Sequence, residues 1–527
     1  MTGRQKLYLN TGTSLLYQIV ALVCGFILPR YILSYFGSDA NGLVTSITRF
    51  LSVISFLELG VGPVIQSNLY KPLADGDTET TSKIVSSAQK FYRRISYIFL
   101  GYIAILFFVL PNLNGEFVFW YTSSLLFIIS VSTFAQYYFD ITYQVALNAD
   151  HKVYVQISLQ IITIILNTAL SVILMRLGFS IHVVKLVSAI VYIIRPLMLG
   201  IYVRKHYLLD TKIKYTVELI KQKWNGFAQH LAAVVCEEID VVLLTMFSTY
   251  QNVSIYSVYF LVVSRITNFV MASVAGLKSL WGNMLARGEK ALLLSTFKKL
   301  EMLAYTGVTL LFVTTAVLIA PFVSVYTAGI KDTQAYYLPA FGAMFAFDYA
   351  AQCLRVSYFR MIKAAGHYKE AQNGAFISMG LNIILSVILV FRFNLIGGAI
   401  GTIVAMLYHT IYFAWYLRGN ILKRPFRRFV KHMILDVAVG AIAIVAAGVI
   451  PMSISGYLSW LIYAIEIFLL CAVVTILVNV LFYQEETKAA VNWIKEKVMN
   501  RFIFKSRGVL EGKEYLAGVS CRCAYAR

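Results

Sequence analysis

Nine charged side chains stand inside stretches otherwise apolar enough to sit in lipid: Arg30, Arg49, Glu58, Glu237, Glu238, Asp240, Arg265, Asp348 and Arg355. A Lys, Arg or Asp at bilayer depth costs about 2.5–3.5 kcal/mol on insertion scales, so such residues face a bundle interior or a wet space and find partners there. Two chemistries suit this set. Guanidinium forks match the donor geometry of phosphate or pyrophosphate, and converging arginines repel one another unless an anion lies between them. Carboxylates at the same depth carry protons or sodium ions. Glu237 and Asp240, three residues apart, share a helix face, and with Glu58 and Asp348 they make up the acidic candidates. These acids are either an ion-coupling set or the permanent partners of the arginines, Arg265 with Asp240 for example. In SITRFLSVISFLELGVG, read as one α-helix, Arg49 and Glu58 point in opposite directions about 13 Å apart along the axis, so each needs its own polar surroundings.

The elements that must hold these side chains are helices in a membrane. Of 527 residues, 59% are hydrophobic and 13% charged, with a mean hydropathy of +0.72, which is the composition of a polytopic membrane protein. About fourteen apolar runs are each long enough to cross a hydrocarbon core: 11–34, 42–68, 92–111, 117–140, 153–176, 181–203, 225–247, 252–276, 300–325, 336–360, 372–391, 395–417, 433–451 and 457–481. Continuous runs, not short alternating strands, exclude a transmembrane β-barrel and predict an all-α fold. The first run continues from a basic start, MTGRQKLYLN, through Pro29 and Arg30 without a small-residue cleavage site, so it reads as a span and not as a removed signal peptide.

The net charge of +21 does not indicate nucleic acid, because the basic residues are placed by topology. Connections after odd-numbered runs hold almost no Lys or Arg. Those after even-numbered runs are basic, with six between Arg204 and Lys223, five between Lys278 and Lys299, six between Arg418 and Lys431, and nine in the tail after Phe482. This asymmetry puts the basic loops and both termini in the cytoplasm, against anionic headgroups. Lys185, Arg195, Arg360 and Glu466 lie nearer interfaces or in peripheral runs, where snorkelling accounts for them. Cys521 and Cys523 form an unremarkable reduced pair in the tail, and no cysteine shows metal-ligand spacing.

The sequence repeats itself. LNTALSVIL at Leu166–Leu174 and LNIILSVIL at Leu381–Leu389 agree at seven of nine positions with an offset of 215. Ala135-Gln136, Ala149, His151 and Gln156 fall opposite Ala351-Gln352, Ala365, His367 and Gln372 at an offset of 216. His151 and His367 thus occupy matching loop positions, read as caps of the fold, and Asp140 in YYFDITY reads as a hinge or packing residue. Two six-helix bundles follow, residues 1–210 and 211–420, with helices 13–14 in 421–482 and a cytoplasmic tail in 483–527. An even number of spans per copy places the pseudo-two-fold axis along the membrane normal, with a cleft between the bundles. The repeat carries Arg49 to about position 260, one helical turn from Arg265, so these two arginines are expected to meet across the axis, with Arg30 joining them.

The six plus six plus two arrangement and the run NGLVTSITRFLSVISFLELGVGPVIQSNLYKPLADGD at Asn41–Asp77 resemble the polysaccharide-transporter branch of the multidrug/oligosaccharidyl-lipid/polysaccharide exporter (MOP) superfamily. The resemblance runs through about residue 480, and its motifs are diffuse. It implies a bacterial plasma-membrane flippase of undecaprenyl-pyrophosphate-linked oligosaccharide repeat units for capsular or O-antigen polysaccharide, with Arg30, Arg49 and Arg265 lining the cavity for the pyrophosphate. Lipid II flippases of the superfamily have a more arginine-rich first span, where Arg30 stands alone here. The implied partners are the lipid-linked oligosaccharide, membrane lipids, and the polysaccharide polymerase and glycosyltransferases that act before and after transport. No cofactor is implied beyond a proton or sodium gradient. An ion-coupled multidrug antiporter of the same architecture is the rival, and its cavity should be dominated by carboxylates. A polymerase or ligase needs a large outward loop, whereas the outward connections are short.

Overall fold

The computed structural model describes residues 3–58, 61–207, 227–330, 335–367, 369–452 and 454–484. The 483–527 tail beyond residue 484, Cys521 and Cys523 included, lies outside the described residues, as does the side chain of Glu237. Every regular element among the described residues is helical: α1 (Gly3–Ser52), α2 (Val61–Asp75), α3 (Thr78–Val109), α4 (Pro111–Asn114), α5 (Phe119–Ala135), α6 (Ile141–Ala149), α7 (Val153–Arg176), α8 (Ile181–His206), α9 (Phe227–Phe247), α10 (Tyr250–Ser273), α11 (Leu277–Ala286), α12 (Lys290–Tyr326), α13 (Pro339–Ala364), α14 (Gln372–Asn420), α15 (Arg427–Ala447) and α16 (Tyr457–Phe482). The chain is an all-α, multi-pass membrane protein. Its lipid-facing surface is a continuous display of exposed side chains such as Leu15, Ile19, Ile105, Phe108, Ile162, Ile190, Ile434, Val445 and Leu477, far more apolar area than a water-facing monomer leaves open.

Two apolar runs share α1, and two share α14. Gly37, at φ 81°, breaks α1 between the first and second runs, a conformation that glycine adopts without steric cost. Asn394, at φ 49° and ψ −123°, breaks α14 between the eleventh and twelfth. The second run departs from the expected single helix. After Ser52 the chain tightens into a 3₁₀ segment, Val53–Glu58, and resumes as α2 at Val61, so Arg49 and Glu58 are not related by α-helical geometry. The fourth run loosens instead, with a π-helical turn at Gln136–Asp140 between α5 and α6.

One buried core gathers residues from Ala40 to Ile181 together with Tyr250, and another gathers α9 to α14 together with Leu33 and Phe429. The last two helices pack on α12 through Leu318, Ala443, Ala447, Tyr463, Ile467 and Cys471. Between the two large cores, α1 lies on α10. The approach is close enough that a Cβ on Gly42 would stand 1.8 Å from the Tyr250 carbonyl oxygen, so only glycine fits there. Polar bonds across this seam run along α1 from Ala21 to Arg49. Tyr326 donates to the Phe26 carbonyl at 2.6 Å, Ser38 bonds Tyr336, Asn41 donates to Ser254 at 2.8 Å, and Ser46 meets Thr245 at 2.7 Å. Nearer its start α1 bonds its own half, Lys6 to Asp150 at 3.0 Å and Asn10 to the His151 carbonyl at 2.9 Å, while Leu7, Tyr8, Leu15 and Leu16 are exposed. The cross-seam bonds among the described residues are therefore gathered on the side away from the basic loops.

Candidate functional site

A cavity of about 350 Å³ lies where α1, α8 and α10 meet, bounded by Pro29 and Ile32 before the Gly37 break and by Asn41, Thr45, Thr48 and Arg49 after it. The break brings two stretches of one helix to the same space. Arg49 is half-buried, with its guanidinium 4.4 Å from the Phe260 ring centroid and Nη1 3.1 Å from Glu238 Oε2. Stacking on an aromatic face fixes the plane of the guanidinium and adds attraction where water is scarce. Arg49 belongs to the first half and Glu238 and Phe260 to the second, so this ion pair crosses the seam.

Lys185, in the second turn of α8, lines the same cavity. It is half-buried and makes no hydrogen bond or ion pair among the described residues. Snorkelling to an interface does not describe it. The misreading arose because hydropathy places a lysine along a span but not around it, and no periodicity within the sixth run distinguishes the cavity side from the lipid side.

The other two arginines take different places. Arg265 lies in the α1–α10 seam, donating from Nη2 to the Ala21 carbonyl at 3.3 Å, and a Cβ on Gly25 would come within 2.6 Å of that nitrogen. It makes no ion pair among the described residues, with Asp240 or otherwise. Arg30 donates to the Tyr326 carbonyl at the end of α12 and to the Tyr457 hydroxyl at 2.7 Å. It borders a second, almost wholly apolar cavity of about 620 Å³ walled by Phe26, Ile266, Phe322, Trp460 and Phe468, between α1, α10, α12 and α16. The three arginines do not converge in this conformation. Pro29 and Arg30, adjacent in sequence, face two different spaces.

The acidic residues also divide. Glu58 accepts from Tyr137 at 2.9 Å, within the first half. Asp240 is buried in the second half, accepting from Thr402 Oγ1 at 3.0 Å and from Tyr256 at 3.4 Å, while Asn382 Nδ2 donates to the same Thr402 oxygen at 3.3 Å. Asp348 is 1% exposed, and its Oδ1 has no hydrogen-bond partner. Neither aspartate forms an ion pair among the described residues, so the second half holds two buried acids with no cation bonded to them there. Close by, Arg355 donates to His409 Nδ1 at 2.5 Å.

Two ion pairs whose acids are fully buried escaped the reading of the sequence. Asp140, at the end of the π-helical turn, receives Arg195 Nη2 at 2.6 Å and Nε at 3.1 Å, so Arg195 is no interfacial residue. Glu301 receives Arg424 in a fork that also takes the Tyr358 hydroxyl at 2.6 Å, tying α12 to the connection that precedes α15. The only sequence signal for either was the presence of a charge of each sign at similar membrane depth.

Comparison with solved structures places this fold. The chain is similar to a lipid II flippase, MurJ, in an inward closed conformation, with a TM-score of 0.68 and 15% identity over 91% of this chain and 99% of that one. It is similar to an inward-facing multidrug resistance MATE family transporter of the MOP superfamily, at a TM-score of 0.63 and 14% identity over 77% and 95%. A eukaryotic MATE transporter, AtDTX14, gives 0.54 and 12% over 81% and 97%. No family model matches the sequence, and no curated protein matches it. The chain shares the fold of these transporter structures.

Proposed function

We propose that this chain is a flippase that moves undecaprenyl-pyrophosphate-linked oligosaccharide repeat units from the cytoplasmic to the outer leaflet of a bacterial plasma membrane, for surface polysaccharide synthesis. The observation that carries the reading is the pairing of two unlike cavities on opposite flanks of α1 and α10. One holds Arg49 and Lys185 among hydroxyl and amide side chains, and the other is apolar and walled by α16. That pair of spaces suits an amphiphile with an anionic head. Stripping a diphosphate and several sugars of water costs too much for unaided passage through hydrocarbon, and a polar cleft replaces the lost contacts while a polyprenyl tail stays in apolar surroundings. Likeness to a lipid II flippase supports a lipid-linked cargo.

On this reading the bundles 1–210 and 211–420 rock against each other, the second carrying helices 13–14, and the cleft toward the basic loops receives substrate from the cytoplasm. Asp240 and Asp348 couple the motion to a proton or sodium gradient. The burial of these two acids also favours a second reading, an ion-coupled multidrug antiporter, whose cargo would be cationic and poorly matched to Arg49 and Lys185. A deletion strain separates the two. The flippase reading requires lipid-linked repeat units to accumulate on the cytoplasmic face and the gene to restore export. Normal repeat-unit pools with new sensitivity to organic cations would replace it with the antiporter.

A further inference from the structure

We infer that Lys185 anchors a phosphate group in the Arg49 cavity, and that binding there loosens the Arg49–Glu238 bond that holds the two halves together. The inference rests on the flippase reading only for the identity of the larger ligand. Its basis is a count of donors. A guanidinium offers five N–H donors, and Arg49 uses Nη1 alone, on Glu238 at 3.1 Å. With its Cζ 4.4 Å from the Phe260 ring centroid, it keeps a second contact whether or not Glu238 stays. Lys185 adds an ammonium group with no partner among the described residues, on the same cavity. A point charge and a planar fork on the walls of one cavity, edged by Asn41, Thr45 and Thr48, form a recognition set for phosphate oxygens.

A di- or trianionic diphosphate held there stands beside the Glu238 carboxylate, and the two compete for one guanidinium. Substrate binding thus weakens a bond that spans the seam. Lys185 and Arg49 both come from the first half, so the anion replaces a bond between halves with one inside a single half.

Binding of inorganic pyrophosphate and of farnesyl diphosphate to the purified full chain in detergent, measured by titration calorimetry, tests this. Losing a charge-assisted hydrogen bond should weaken inorganic pyrophosphate by about tenfold or more in Lys185→Met and Lys185→Gln, with Lys185→Arg retaining most of the affinity. Glu238→Gln should bind several-fold tighter than the parent chain. A lipid source for the anion predicts farnesyl diphosphate binding tighter than inorganic pyrophosphate, and equal affinities assign the site to free phosphates. Parental affinity in a folded Lys185→Met chain, or unchanged affinity in Glu238→Gln, overturns the inference. Pyrophosphate binding through Lys185 in a protein whose deletion leaves lipid-linked pools normal would instead remove the flippase reading and leave the site standing.

Discussion

Arg49 and Glu238 meet at 3.1 Å across the seam between the two halves, with 19% and 12% of their side chains exposed. A pair at that burial cannot lose one member cheaply, because the survivor is left charged in a poorly solvated place. Arg49→Ala should abolish rescue of surface polysaccharide in a deletion strain while the protein remains in the membrane, and Arg49→Lys should rescue only in part, since an ammonium lacks the fork and the flat face. Full rescue by Arg49→Ala, scored by polysaccharide blot, would remove this residue from the transport route.

Arg30 is bonded to α12 and α16 beside apolar walls and away from the Arg49 cavity. Arg30→Gln should therefore leave inorganic pyrophosphate affinity within about threefold of the parent, as expected of a site that loses no direct contact. A tenfold loss would return it to the anion site that the sequence suggested for it.

Asp240 and Asp348 lie buried without a cation bonded to either among the described residues, the arrangement that ion-coupled transport uses at membrane depth. Asp240→Asn should uncouple transport in proteoliposomes from an imposed sodium or proton gradient while leaving pyrophosphate affinity near the parental value. Gradient-dependent transport by that variant would reduce Asp240 to a packing residue.

Asp140 and Arg195 form a pair in which the aspartate is fully buried, set into a π-helical turn. Removing one partner should cost about 3–5 kcal/mol, whereas replacing both with apolar residues of similar volume is often near neutral. In thermal unfolding in detergent, Asp140→Asn and Arg195→Met should each lower Tm by several degrees, and the Asp140→Leu/Arg195→Met double variant should recover much of the loss. Additive losses would show that the π-helical turn needs the pair for more than charge balance.

Outside the spans, burial works to raise the pKa of Asp150, but hydrogen bonds from Lys152, Tyr207 and Lys6 outweigh it and hold the carboxyl below its ordinary value. A depressed aspartate stabilises the fold above its unfolded-state pKa, and that contribution disappears as pH falls through the lower, folded-state value. The tie between the start of α1 and the α6–α7 loop should thus weaken below about pH 4. Asp150→Asn should flatten the fall of Tm between pH 5 and 3, and an unchanged slope would assign the acid sensitivity elsewhere.

The fourteen apolar runs were legible because crossing lipid demands length and hydrophobicity, both of which are local properties. The need of Arg49 for polar company was legible for the same reason. Its partner was not. Glu238 and Asp240 lie two residues apart on α9, and choosing between them requires the rotation of α9 about its axis, which packing against α1 and α14 decides. Lys185 failed in the same way. The 3₁₀ segment at Val53–Glu58 was hidden because a tightened turn uses the same apolar residues as a regular one. Gly37 ends the first run visibly, while Asn394 looks like an ordinary polar residue between two apolar stretches.

The contact of Gly42 with the Tyr250 backbone makes a fulcrum of the point where α1 and α10 touch. With no side chain between them, the two backbones meet there directly, so on the proposed rocking motion this is the point about which one helix would tilt over the other. Even a methyl group there would act as a wedge, propping the seam ajar before any cargo arrives.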